Sequence, residues 1–406
     1  MKIFKFFITK IMFTKPVFII SMTVLLFLVN YFAFIGSRSI ISTLQGYQEI
    51  QVLNKKGSYI ANLDPNSDIN TDKINKKDTQ KIYNYLNKNY NYAFQADGFV
   101  TELANNYDME VTLNYINEAA YNLNQYDFPQ NNKLYFNYDH NKDDIPVVVG
   151  PGIAESYPIG TSMKIQDSVL NRALELKVNG VLNSNTHRSN FYAPNSKNYY
   201  NFSIFVPANK RFINDSNVDL QLNGLMDLVL LESTKKDAEN ISKYVEENLN
   251  IKLNFFSQKE NFQYFERYYI NSIKIIGLLM FILIVILLLL ALWNISTSIK
   301  LMTKEFTINL LVGMSYARLR TIFYYYFGLL FLINIMIIFL ITLYSRYQVW
   351  LEKDAIFATY GTFGLIDIDW IALLIVTLID IVIGIIIVEL SIKKLKKIPI
   401  SLGVLQ

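Results

Sequence analysis

Few residues in this chain of 406 are of types that do chemistry, and their spacing narrows the field further. There is no cysteine, which excludes disulfides, thiolate metal sites and cysteine nucleophiles. His140 and His187 are the only histidines, too few for a histidine-rich metal site. Asp139, His140, Asp143 and Asp144 form one hydrophilic run with metal-ligand chemistry, but such a run is ordinarily a solvated turn. Serine, histidine and aspartate all occur between residues 38 and 267, yet no G-x-S-x-G elbow raises a serine as nucleophile. No G-x-x-x-x-G-K-[ST] loop is present to cradle phosphates, so the chain is not expected to hydrolyse ATP by that chemistry. The expectation is a non-enzyme, without catalytic residues and without a cofactor or metal of its own.

Two acids remain as candidates. Asp380 lies midway along an apolar stretch, where an ionised side chain costs ~2.5–3.5 kcal/mol by insertion scales. A proton or ion relay would use such a residue, but no second intramembrane acid or base accompanies it. Bonding to Asn334, Asn294 or a tyrosine on another helix, or simple protonation, is the expected role. Glu305 is the only acid in the segment 300–320 and falls near a helix start, where the macrodipole favours negative charge. Local pairing with Lys304 or Lys300 is the structural alternative to contact with a partner.

The elements that must hold these residues are set by hydropathy. A bilayer-spanning helix needs about 20 mostly apolar residues. Four windows qualify: Pro16–Ser37, Ile275–Ile299, Thr321–Ser345 and Trp370–Val388. The first reads as a retained anchor and not a signal peptide, because its core is long and no small-x-small cleavage site follows. Lysine and arginine cluster in 1–15, 300–320 and 389–406, whereas 346–369 is acidic. By the positive-inside rule both termini and the 300–320 loop are cytoplasmic. The expectation is a membrane protein with four transmembrane α-helices and a large α+β extracytoplasmic domain inserted between spans 1 and 2. Its segments are a basic N-terminus (1–15), span 1 (16–37), the external domain (38–259), and a stalk helix with span 2 (260–299). A cytoplasmic loop (300–320), span 3 (321–345), an external loop (346–369), span 4 (370–388) and a basic tail (389–406) follow. Residues 38–267 carry 23 basic and 27 acidic side chains, a balance that gives no footprint for nucleic acid.

Within the external domain, helical patterns are expected near Thr71–Asn89, Met109–Gln125 and Thr234–Leu249, the last with Ala238, Ile241, Val245 and Leu249 on one face. Strands are expected at Lys133–Tyr138, Ile145–Val149, Ser162–Ile165, Leu174–Val178, Tyr200–Val206, Leu228–Leu231 and Ile251–Phe255. The aromatic tract Tyr83–Phe94 has the chemistry to contact peptide or glycan, but core packing is its ordinary use. Turn residues then vanish, and one continuous helix over Glu260–Trp293 would reach ~50 Å, beyond the ~30 Å hydrocarbon core.

In the cytoplasmic loop, Gly313 suits a left-handed helix end and Ser315 the N-cap of the next helix. Taken by itself the segment is a basic connector with a short helix. Lys304-Glu305-Phe306, then Ile308, Leu311, Gly313 and Ser315, resemble the basic-Glu-apolar…Leu-x-Gly-x-Ser pattern of the MacB/FtsX-like ABC transporter permeases. Departures stand at Thr307, where the family often has glycine, and at Leu310, near which it has arginine. Val147–Glu155 with Gly160, Val178–Leu182 and the basic tail with Pro399 resemble further family features.

The resemblance implies that 300–320 is a coupling helix that docks on a dimeric cytoplasmic ABC ATPase, which holds ATP and Mg. It also implies a second permease copy, homo- or heterodimeric, and mechanotransmission from ATPase to external domain in a bacterial cell membrane. Export or extraction of a peptide, toxin, antibiotic or lipoprotein is the first function it implies. An external adaptor or peptide is then a further partner. Control of a cell-wall hydrolase without transport is the second, and a membrane-anchored receptor or adhesin is the rival from another class.

Overall fold

The computed structural model describes residues 16–67, 74–104, 107–124, 133–190, 193–301 and 303–397. The chain begins with α1 (Pro16–Gln51), β1 (Tyr59–Leu63), α2 (Lys76–Asn89), β2 (Asn91–Ala93), β3 (Gln95–Thr101), β4 (Val111–Ile116) and α3 (Glu118–Asn124). Next come β5 (Ile145–Val149), α4 (Pro151–Ala154), β6 (Ser162–Asp167), β7 (Arg172–Val181), β8 (His187–Asn190), β9 (Ala193–Tyr199) and β10 (Ser203–Pro207). It continues through α5 (Lys210–Asp215), α6 (Val218–Met226), β11 (Val229–Leu231), α7 (Lys235–Leu249), β12 (Leu253–Ser257) and α8 (Gln258–Phe265). A π turn (Glu266–Ile270) leads to α9 (Asn271–Leu301), α10 (Thr303–Leu311), α11 (Tyr316–Leu351), a 3-10 turn (Thr362–Gly364) and α12 (Asp367–Leu395).

These elements fall into two compact units. The first comprises Met1–Ile41, Asn271–Ser345 and Asp367–Gln406, and the second Ser42–Ile270 and Arg346–Ile366. Among the described residues, four helical stretches are long and apolar enough to cross a membrane: Ile20–Gln51, Gln258–Asn294, Tyr316–Leu351 and Asp367–Leu395. One precedes the bulk of the second unit and three follow it. In the second stretch only 11% of the most apolar window is buried, so lipid or another chain must cover its apolar faces.

The first unit packs Met22, Leu26 and Val29 of α1 with Leu287 and Ala291 of α9, Phe323 and Phe327 of α11, and Ile383 and Ile387 of α12. Its helices α11 and α12 run antiparallel in a register that several contacts fix. Lys396 sits 5.7 Å over the Tyr316 ring, Tyr324 Oη donates to Glu389 Oε1 at 3.0 Å, and the Phe339 and Trp370 rings lie 6.0 Å apart. Between them, Gly384 faces the Phe331 ring so closely that a Cβ would stand 2.9 Å from it.

The second unit holds a six-stranded mixed sheet in the order β3-β4-β10-β5-β7-β6 and a four-stranded antiparallel sheet in the order β12-β1-β11-β2. The pairs β4–β10 and β5–β7 are parallel. The hairpin β8–β9 stands apart from both sheets. Alternation along β6 and β7 buries Met163, Ile165, Leu174, Leu176 and Val178. Helix α7 opens with a Thr234–Asp237 capping box and buries Ala238, Ile241, Val245 and Leu249, the face its spacing requires.

Three expectations need correction. Met109–Gln125 is not a helix: Val111–Ile116 is strand β4, and helix begins only at Glu118. The strand reads V-T-L-N-Y-I, apolar and polar in turn from Val111 to Tyr115, and that period of two is a strand's and not a helix's, although the strand is buried along its whole length. Lys133–Tyr138 is not a strand, and its Phe136 and Tyr138 carbonyls are met by Asn209 Nδ2 at 3.2 and 3.0 Å rather than by a ladder. The helix over Glu260–Trp293 is not uniform, since the π turn at Glu266–Ile270 separates α8 from α9. A π turn adds a residue to one helical turn and shifts the faces on either side. Here it coincides with the boundary between the two units. Residues 1–15, 68–73, 125–132 and 398–406, which include parts of the expected N-terminal segment, first helix and tail, lie outside the described residues.

Candidate coupling site

Helix α10 is short, and its C-terminal end is closed by its own sequence. Gly313 takes φ +97°, the left-handed conformation a glycine reaches without a Cβ penalty. Met314 N donates to Asn309 O at 3.0 Å and Gly313 N to Leu310 O at 3.1 Å. This pair of bonds is the Schellman closure, which satisfies carbonyls that a helix end leaves open. Ser315 Oγ then accepts from Arg318 N at 3.3 Å and caps the start of α11. The two turns between α10 and α11 are therefore specified residue by residue.

Ahead of that closure, Thr307 is buried, while Ile308, Leu311 and Val312 are exposed by 49, 59 and 81%. The backbones of Lys304, Glu305 and Phe306 belong to α10, and their side chains lie outside the described residues. Ile308, Leu311, Gly313 and Ser315 thus come together at one helix end.

The two intramembrane polar candidates are both fully buried, Asn334 on α11 and Asp380 on α12. The partner of Asp380 is neither Asn334 nor Asn294. Asn30 of α1 donates Nδ2 to Asp380 Oδ2 at 2.8 Å. Asn334 Nδ2 turns back to its own helix at Leu330 O (2.8 Å), and Asn294 Nδ2 donates to Ser21 Oγ at 3.4 Å. Asn30 was not singled out by sequence. The signal available was an amide inside an uncharged span, a group that must find a partner away from water. Helices α1 and α12 are tied a second time where Arg38 Nε meets the buried Asp369 Oδ1 at 2.8 Å.

In the second unit the Asp139–Asp144 run is the turn its composition implies. Asp139 and Asp143 accept backbone N–H bonds within the run, and Arg211 Nη1 lies 3.0 Å from Asp139 Oδ2. His140 alone is buried, packed on Phe212 and 3.1 Å from Asp215 Oδ2. Burial lowers its pKa against the opposing pull of Asp215. Among the described residues no group of three His, Cys, Asp or Glu side chains is placed to hold a metal. Tyr83, Tyr92 and Phe94 of the aromatic tract are core residues.

A polar clasp unforeseen from sequence holds the last turns of α1 to the β8–β9 hairpin. Glu49 accepts from Ser189 N at 2.9 Å and from Lys197 Nζ at 3.3 Å, and Lys197 also donates to Gln45 Oε1 at 2.9 Å. His187 Nδ1 lies 2.8 Å from Asn185 O, which assigns its hydrogen to Nδ1. The neutral ring then accepts from Lys197 Nζ at Nε2 (2.8 Å), and a protonated ring donates instead to Glu49 Oε1 at 3.0 Å. Burial resists ionisation of Glu49, but the His187 bond, the Lys197 charge and the Ser189 bond prevail and hold its pKa at about 2. For Lys197 burial prevails over the Glu49 attraction and lowers the pKa. Gly46 makes the approach possible, since a Cβ there would stand 1.9 Å from Pro194 O.

The segment Arg346–Ile366, expected as a plain external loop, is built into the second unit. Ile356 O accepts from Tyr199 N at 2.8 Å, Ala358 O from Asn201 Nδ2 at 2.9 Å, and Asn185 Oδ1 from Tyr360 N at 2.8 Å. Trp350 packs edge-on against Phe202 and Tyr360.

Comparison with known proteins adds little to this geometry. No family model matches the sequence, and no curated protein matches it. Among solved structures, the extracellular domain of the noncanonic ABC-type transporter YknZ from Gram-positive bacteria is similar at 13% identity and a TM-score of 0.32. The match covers 49% of this chain and 100% of that one, and at that score the likeness carries no inference.

Proposed function

We propose that this chain is the permease subunit of an ABC transporter of the MacB/FtsX-like type. In this reading a separate cytoplasmic ATPase dimer hydrolyses ATP, and this chain converts the ATPase movement into movement of its second unit outside the cell. The chain catalyses no reaction. Two copies, identical or paired with a related chain, face the two ATPase subunits. The cargo class is a peptide, toxin, antibiotic or lipoprotein, exported or extracted from the outer leaflet.

The observation that carries the reading is α10. It stands between two spanning-length helices, is closed at its C-terminal end by Gly313, and ends in exposed Ile308, Leu311 and Val312. An apolar cluster on a short basic loop is a place for a partner. The lysines and arginines that flank the loop support a cytoplasmic position by the positive-inside rule, where an ATPase is available. Sequence resemblance at Lys304–Ser315 names the kind of partner.

The test uses the full-length chain in its native membrane. A photo-crosslinking amino acid at position 312 is expected to capture a nucleotide-binding protein. Gly313→Pro should abolish the adduct while the chain still inserts. Capture of lipid alone at positions 308, 311 and 312 would overturn the assignment.

A further inference from the structure

The buried polar layer of the first unit has more acceptors than donors. Asn30, Asn334 and Asp380 come from α1, α11 and α12 and are exposed by 0, 0 and 1%. Asn30 Nδ2 is spent on Asp380 Oδ2, and Asn334 Nδ2 on Leu330 O. Both amides are therefore fixed in orientation. Three oxygens remain, Asn30 Oδ1, Asn334 Oδ1 and Asp380 Oδ1, each buried and without a hydrogen-bond partner.

The helix register sets these three residues at one level of the bundle. The antiparallel register set by Tyr324–Glu389, Phe331–Gly384 and Phe339–Trp370 brings Asn334 opposite Asp380. Asn334 lies on the inward stripe of α11 between Leu330 and Ile338, and Asp380 on that of α12 between Val376 and Ile383. The Asn30 contact places α1 at the same level.

A buried oxygen acceptor without a donor is costly, and a buried carboxylate without a counter-charge more so. A hydrophobic neighbour relieves neither. A small cation relieves both, because it neutralises Asp380 and satisfies the amide oxygens together. Oxygen-only donors suit hard cations. We propose that Asp380, Asn30 and Asn334 form a monovalent-cation site inside the helix bundle, occupied by a proton or by sodium. With no second ionisable residue at this level, the site holds its ion and does not relay it. Occupancy joins α1 to α11 and α12, which the direct Asn30–Asp380 bond alone does not do. The site stands whether or not the chain works with an ATPase.

Dicyclohexylcarbodiimide tests the site on the full-length chain in vesicles. The reagent modifies a carboxyl that carries a proton and lies away from water, and the adduct is read by mass spectrometry. Without sodium, modification is expected at Asp380 and should fall severalfold as pH rises. If sodium is the resident ion, added sodium should protect severalfold at fixed pH, where choline does not. If only a proton binds, sodium and choline should act alike. Asn334→Ala and Asn30→Ala should each shift the pH or sodium midpoint, and Asp380→Asn should abolish the adduct. Absence of any Asp380 adduct across the pH range would overturn the proposal. So would midpoints unmoved by both asparagine variants.

Discussion

Lys197 Nζ lies 3.3 Å from Glu49 Oε1, with its side chain 3% exposed, and so joins the last turns of α1 to a hairpin about 150 residues away. Removing one partner of a buried pair leaves the other uncompensated. Lys197→Met is expected to cost about 2 kcal/mol, below the full buried-pair range because Glu49 is a third exposed and keeps its Ser189 bond. Glu49 also sets an acid limit. Its pKa falls from 4.5 when unfolded to about 2 when folded, so its contribution is complete above pH 4.5 and lost as pH falls towards 2. Hydrogen exchange over 187–199 in the full chain should show early opening in that window for the native chain. Glu49→Gln should remove that pH dependence.

Gly313 is the residue that lets α10 stop and α11 begin. Nothing lies within 4 Å of where its Cβ would be, so substitution there meets no clash and the whole cost is backbone. Gly313→Ala is expected to cost about 1–2 kcal/mol for a left-handed alanine. Ser315→Ala removes a cap worth about 1 kcal/mol. Gly313→Ala should speed hydrogen exchange in 303–312 and Ser315→Ala in the first turn of α11; both should weaken ATPase capture, leaving the second unit unchanged. Leu311→Ser should weaken capture with little change in exchange, because that side chain is already exposed. The comparison separates docking from helix stability.

The junction between α10 and α11 was legible in sequence because it is local: a glycine and a serine two residues apart carry the whole signal. The buried face of α7 was legible for the same reason, being one helix with one period. What escaped was made by residues far apart in the chain. Asn30 finds Asp380 across 350 positions, and Tyr360 finds Asn185 across 175. Strand β4 did carry its signal, since Val111, Leu113 and Tyr115 alternate with Thr112 and Asn114, but a window drawn from Met109 to Gln125 merged it with the helix that begins at Glu118. Composition showed that Asp380 needed a partner, but not which of several amides would supply it.

Trp350 shows how firmly the segment after α11 belongs to the second unit. Its ring meets Phe202 at 5.5 Å and Tyr360 at 5.4 Å, and its Nε1 donates to Thr359 O at 3.2 Å. Trp350→Ala is expected to cost about 2–3 kcal/mol, less than a fully buried tryptophan because the side chain is half-exposed. Protease should then cut within 346–366 at a concentration that spares the native chain. Asn201→Leu should give the same nick, since it removes the donor to Ala358 O and leaves that carbonyl unmet. Equal resistance in both variants would show that the segment is held by its ends alone.

The absence of cysteine makes the orientation directly measurable, because each introduced thiol is the only one in the chain. Lys142 is exposed in the turn after His140, and Val312 is exposed at the end of α10. Neither side chain supports the core, so Lys142→Cys and Val312→Cys should fold as the native chain does. In intact cells a membrane-impermeant maleimide is expected to label position 142 and not position 312. After permeabilisation both should label. The reverse pattern would place α10 outside, where no ATPase could reach it. Labelling of position 142 alone, even after permeabilisation, would mean that α10 lies buried in lipid, and the apolar cluster at Ile308, Leu311 and Val312 would then be a membrane contact.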